Sequence, residues 1–134
     1  MNPSDRTHNL LREKGIRCGK VERFVSQKHT ADLFGFLDQV ALNPEGVQPF
    51  AKGLFGIQST GGDSNGNGNA RIAKIRSAAL WPAAQAWLDC GAAIYVFSWV
   101  RVPLGKSVRY ELRVVELKDQ EHEFSWEPIC GDPT

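Results

Sequence analysis

Apolar residues recur along the chain at helical spacing in some stretches and at strand spacing in others, and the breaks between them mark the elements. Ser4 can cap a helix running to about residue 14, with Asp5 in the first turn, Leu10 and Leu11 as an apolar stripe, and Gly15 as the stop. Residues 16–25, "IRCGKVERFV", read as a strand interrupted by Gly19, and "SQKHTAD" after it as a polar turn. Residues 33–42, "LFGFLDQVAL", are rich in strand formers and are closed by Pro44 and Gly46. "NPEGVQPFAK" then reads as the turn into an antiparallel partner strand, "GLFGIQST", at 53–60.

"GGDSNGNGN" is a loop by composition, and Asn69 can cap a helix, "NARIAKIRSAAL". Ile72, Ile75 and Ala79 form its packing face; Arg71, Lys74 and Ser77 lie on another. Pro82 suits the first turn of a continuing or second helix, which Gly91 ends. "AAIYVFSWVRV" is apolar enough to be a strand covered on both faces. In "VRYELRVVEL", Val108, Tyr110, Leu112 and Val114 share one side of a last strand. The predicted order is α-β-β-β-α-β-β: an α/β fold, with a mixed β-sheet and helices on its faces. One domain is expected over 1–117, followed by an irregular tail over 118–134 that Phe124 and Trp126 can dock.

Composition narrows the function classes without choosing one. The chain has 134 residues, 42% hydrophobic and 23% charged, the profile of an ordinary soluble domain. No apolar run is long enough for a membrane span, and the polar N-terminus argues against secretion. Cys18, Cys90 and Cys130 fit neither a disulfide framework nor a zinc set, which points to partly buried thiols and a cytoplasmic home. A formal charge of +1 is too low for a non-specific nucleic-acid coat, although it leaves one basic face open to nucleic acid.

The chemistry lies where acids interrupt apolar strands. By alternation Phe34, Phe36, Asp38 and Val40 share one face, and Gly56, Gln58 and Thr60 share one face of the partner strand. Pairing of the two strands then places Asp38 near Gln58 at one end of the sheet. A buried ionised carboxylate is costly unless paired, hydrogen-bonded or bound to a cation. Two accounts fit these residues: Asp38 satisfies backbone donors at a bend or an arginine, or it belongs to a hard-cation site. Mg²⁺ takes oxygen ligands, often one or two carboxylates with waters and substrate phosphate.

Val21-Glu22-Arg23, Asp32-Leu33-Phe34-Gly35-Phe36, Asp38, Ile57-Gln58 and Thr60 stand in a strand meander followed by a crossover helix and another strand. This set resembles the PD-(D/E)XK nuclease superfamily with its restriction-endonuclease-like core, and small phage and bacterial members above all. The resemblance covers about Leu10 to Val115. It implies hydrolysis of DNA phosphodiesters with Mg²⁺ or Mn²⁺ as cofactor, in a phage or mobile-element setting. It makes Asp38 the metal-binding aspartate, Gln58 the counterpart of the Glu or Gln in the E-x-K element, and Glu22 the upstream acid. Asp32 competes with Asp38 for the ligand role. Thr60 stands where the family has lysine, and a hydroxyl supplies no positive charge to orient water or phosphate. Lys74, on the following helix, is the candidate replacement.

Lys20, Arg23, Lys28, His29, Arg71, Lys74 and Arg76 flank these elements as candidate phosphate contacts, with scattered surface charge as the competing account. The glycine-rich loop can bring a helix N-terminus to a phosphate or serve as a linker, and it is not a P-loop. The three histidines show no zinc spacing, no serine or cysteine stands in a nucleophile elbow, and the tryptophans read as core. The leading expectation is therefore a DNA nuclease using Asp38, Gln58 and Lys74. Its rivals are a nuclease-fold module that binds nucleic acid without cutting, and a structural part of a larger assembly. Nucleases that cut both strands are often C2 dimers, so a homodimer is a further possibility.

Overall fold

The computed structural model describes residues 1–26, 29–118 and 123–126. Helix α1 spans Pro3–Glu13, and five strands follow: β1 Arg17–Lys20, β2 Arg23–Ser26, β3 His29–Ala31, β4 Gln39–Asn43 and β5 Gly53–Gly62. Helices α2 (Gly66–Ile75) and α3 (Trp81–Asp89) lead to β6 (Ala93–Leu104), β7 (Ser107–Leu117) and β8 (Glu123–Trp126). Six strands form one sheet in the order β1-β4-β5-β6-β7-β8, and β2 and β3 form a separate two-stranded ribbon. β5 and β6 are parallel, joined by the helical crossover, and the other neighbours in the sheet are antiparallel. The mixed α/β class is as the hydrophobic pattern predicts.

Alternation along β6 divides the core into two layers. Tyr95, Phe97 and Trp99 pack with Leu10 and Leu11 of α1 and with Phe55 and Ile57 of β5. Ile94 and Val96 pack on the opposite face with Ile72 and Ile75 of α2 and Ala84 of α3. Each large apolar side chain withdrawn from water contributes about 1.5–3 kcal/mol before the entropy of ordering is counted. Both faces of the central strands are thus committed to helices, which explains why β6 carries a nearly continuous apolar run. The same alternation sends Gly56, Gln58 and Thr60 toward α2 and α3, and Ser59 toward α1.

Several boundaries differ from expectation, each for a local reason. Asn2, not Ser4, caps α1: its Oδ1 accepts the Asp5 N–H at 2.8 Å, and Pro3 fills the first helical turn, where no N–H is needed. The strand expected over 16–25 splits after Lys20, and its second half joins the β2–β3 ribbon, so residues 29–31 of the expected turn are strand. The strand expected over 33–42 begins only at Gln39. Phe34 (φ 56) and Gly35 (φ 84) adopt left-handed backbone, and the turn they make closes with Leu37 N–H donating to Leu33 O at 3.0 Å.

Helix α2 starts inside the glycine-rich segment, at Gly66 with Asn65 as N-cap, and ends before Ala79, which is exposed. Gly68 permits its close approach to the sheet, because a Cβ there would lie 2.7 Å from Ser98 Oγ. The tail expected to be irregular supplies β8, paired with β7. Among the described residues no helix is long and apolar enough to cross a membrane. Cys18 is half-buried, as expected, whereas Cys90 is exposed, and Cys130 lies outside the described residues.

Candidate functional site

Asp38 stands one residue before β4, with its backbone tied to strands on both sides. Its N–H donates to Ile57 O at 2.9 Å, and its carbonyl accepts the Val21 N–H at 3.0 Å. The chain leaves β1 at that bond, which sets Glu22 beside the junction. The side chain turns onto β5: Oδ2 accepts Gln58 Nε2 at 2.9 Å and the Ser59 N–H at 3.0 Å. The predicted meeting of Asp38 and Gln58 is therefore present, although the strand carrying Asp38 is shorter than expected.

The two carboxylate oxygens have different surroundings. Asp38 is 5% exposed, and its Oδ1 is buried with no hydrogen-bond partner among the described residues. Burial pushes the pKa of Asp38 up to about 7; the Ser59 amide and the Arg71 charge oppose the rise, and the charges of Asp32 and Glu22 add to it. An acid in this position titrates near neutrality, between a neutral form suited to burial and an anion that needs a cation. Cys18 feels the same environment: burial, then the Asp38 charge, lifts its thiol to about 11, so it is not a ready nucleophile.

Asp38 lines an open cleft of about 550 Å³ together with Glu22, Asp32, Gln58, Arg71 and Lys74. Glu22 follows β1, Asp32 precedes the Phe34–Gly35 turn, and the two cations project from α2. Because α2 begins early, Lys74 lies in its last turn. The α2 N-terminus itself contributes no residue to the cleft before Arg71.

Other expected residues fall elsewhere. Thr60 is buried and outside the cleft lining. Lys20 pairs with Asp5 at 3.4 Å on the surface, Arg23 is exposed on β2, and neither lines the cleft. Lys28 lies outside the described residues. Gln58 presents its amide nitrogen to Asp38, where an oxygen would repel the carboxylate; its carbonyl oxygen is the group left for another partner. Among the described residues no cluster of three or more His, Cys, Asp or Glu side chains is placed to hold a metal ion.

The sequence also passed over a buried polar chain beneath the cleft. Trp99 Nε1 donates to Thr7 Oγ1 at 3.0 Å, and Thr7 Oγ1 and Ser59 Oγ are 2.8 Å apart. Ser59 Oγ donates to Gln39 Oε1 at 3.1 Å, and Gln39 Nε2 donates to the Ser4 carbonyl at 3.0 Å. This chain fixes α1 to β4 and β5 and holds Ser4 at the cleft edge. Its one signal in the sequence is a run of polar residues at strand positions meant for the core. No protein-family model matches this chain, and no curated protein or solved structure matches it either.

Proposed function

We propose that the protein is a nuclease that hydrolyses DNA phosphodiesters with a divalent cation. The observation that carries this reading is the buried, unpartnered Oδ1 of Asp38 in a cleft that gathers two further acids and two cations. The order of elements supports it: a helix, a meander of β1, β4 and β5, then a helical crossover to the parallel β6. The contact between Asp38, just before the middle strand, and Gln58 on the next supports the roles that the PD-(D/E)XK resemblance implies for them.

The donor set fits Mg²⁺ or Mn²⁺ held with much of its water shell. Asp38 Oδ1 and the Gln58 carbonyl oxygen would hold the cation, with Asp32 and Glu22 lining the same cleft. A cation bound there supplies Lewis-acid polarisation of the scissile phosphate. Gln58 Nε2 and the Ser59 N–H hold Asp38 Oδ2 and so fix the carboxylate's orientation. Arg71 and Lys74 bind the phosphate, and Lys74 brings from α2 the charge that Thr60 lacks.

Incubation with plasmid and branched DNA, in Mg²⁺, Mn²⁺ or EDTA, tests the proposal. Metal-dependent nicking by the wild type that Asp38→Asn abolishes is expected. Absent cleavage, or an Asp38→Asn variant that cuts as well as the wild type, rules it out. A second reading, a nuclease-fold module that binds DNA without cutting, is favoured by one contact: Gln58 donates to the Asp38 oxygen where a Glu would bring a second charge to a metal. Salt-dependent DNA binding with no cleavage under any metal selects that module.

A further inference from the structure

A second cavity, of about 330 Å³, neighbours the cleft. Ser4 and Ser59 line the cleft, while Pro3, Arg6, Gly61 and Gly62 line the cavity along with Arg101 and Tyr110. Arg6 is 7% exposed, and its guanidinium lies over the Tyr110 ring with Cζ 3.6 Å from the centroid. Stacking engages the face of a guanidinium, whereas its N–H donors lie in the plane. Nη1 accordingly remains buried with no hydrogen-bond partner among the described residues.

The other cation of the cavity is held loosely. Arg101 meets Asp63 at 3.9 Å, with side-chain exposures of 50% and 86%. So open a pair is worth little in water and exchanges readily for a stronger anion. Gly61 and Gly62 bring backbone to the cavity without side-chain bulk. Two residues of strand, roughly 7 Å, separate Ser59 in the cleft from Gly61 in the cavity. That is a step of the size between neighbouring phosphates on an extended nucleic-acid strand.

We propose that this cavity binds a phosphate group between Arg6 and Arg101. Its occupant is a backbone phosphate of the DNA strand whose neighbouring phosphate sits in the cleft, a clause that rests on the nuclease reading. A buried guanidinium stacked on an aromatic ring is a preorganised partner for a phosphate, and Nη1 of Arg6 is a donor left for one of its oxygens.

Inorganic phosphate, titrated at constant ionic strength against chloride, tests the site by itself. The probe is the indole N–H resonance of Trp99, which also lines the cavity. A saturable shift is expected, with affinity about tenfold weaker in Arg101→Gln, the worth of one hydrogen bond to a charged group. Arg6→Met, which keeps a straight chain against Tyr110, is expected to lose saturation; should it fail to fold, Arg101→Gln decides. A shift that never saturates, or equal affinity in Arg101→Gln, overturns the proposal. A single-stranded oligodeoxynucleotide in EDTA supplies the second arm. Competition with phosphate supports the DNA clause, whereas phosphate saturation untouched by the oligonucleotide overturns that clause alone. Metal-dependent DNA cleavage without phosphate saturation overturns the site and leaves the nuclease reading standing.

Discussion

Asp38, bonded to the Ser59 N–H, and Arg6, next in sequence to Thr7, flank the hydrogen-bonded chain through Gln39, Ser59 and Thr7, and each has one polar atom buried without a partner among the described residues. Their burial is relieved in different ways. Asp38 can take up a proton, and its pKa of about 7 places that choice near neutrality. A guanidinium has no neutral form to retreat to, so Arg6 lies against the Tyr110 face and keeps its charge. The charge of the acid site therefore changes with pH, whereas the basic site offers a constant charge. The two sides of this polar chain thus carry a conditional anion and a permanent cation, an arrangement that would suit a metal on one side and a phosphate on the other.

The largest effect that separates the two concerns catalysis. Asp38→Asn is expected to lower DNA cleavage by at least about a thousandfold, since it removes the anion that would hold a cation against the charge developing on the phosphate. Arg6→Met is expected to weaken DNA binding while bound DNA is still cut. Single-turnover assays at saturating DNA distinguish the two, and equal losses would erase the contrast. Next in size is Arg71→Ala, with cleavage down by about tenfold or more. Because Arg71 lowers the Asp38 pKa, its loss moves the Asp38 titration to higher pH, which carboxyl NMR reads directly.

Stability should follow the same division. The folded-state pKa of Asp38 lies above the ordinary carboxyl value of 3.8, so the native state binds the proton more tightly than the unfolded chain. The resulting stabilisation is fully present below about pH 4 and is lost as pH rises through about 7. Asp38→Asn imitates the neutral form, so it should gain on the order of a few kcal/mol over the wild type near pH 8 and little near pH 4. Mg²⁺ should raise the wild-type melting temperature near pH 8 and leave the variant unmoved. Thermal melts that show no pH-dependent gap would place Asp38 in a solvated setting. The smallest change expected is Ser59→Ala, at about 1–3 kcal/mol, because Thr7 and Gln39 lose a buried partner. Its backbone N–H still reaches Asp38, so the pH dependence of stability should remain.

The sequence made the chemistry of this region legible further than its geometry. Alternation along residues 53–60 places Gln58 correctly, and the strand-helix-strand pattern after it predicts the parallel crossover of β5 and β6. Asp38 meets Gln58 as predicted, yet not as part of a long strand, because the left-handed turn at Phe34 and Gly35 takes up residues 33–37. A propensity argument misses that turn, since Phe34 is a strand former placed in a conformation that favours glycine. Lys20 and Arg23 flank the motif in sequence but leave the cleft when the chain splits after Lys20. The burial of Arg6 and Thr7 is not legible in the sequence, because single polar residues on a helix usually face water, and the packing of α1 on Trp99 and Tyr110 buries them.

Mn²⁺ binding, followed by the loss of the free-ion signal in electron paramagnetic resonance, bears on the central claim before any DNA is added. One saturable site per chain is expected near pH 8, weakening as pH falls through about 7 where the proton competes for Asp38, and absent from Asp38→Asn. Mn²⁺ binding that is missing at pH 8, or that survives Asp38→Asn unchanged, would contradict the assignment of this cleft as a cation site.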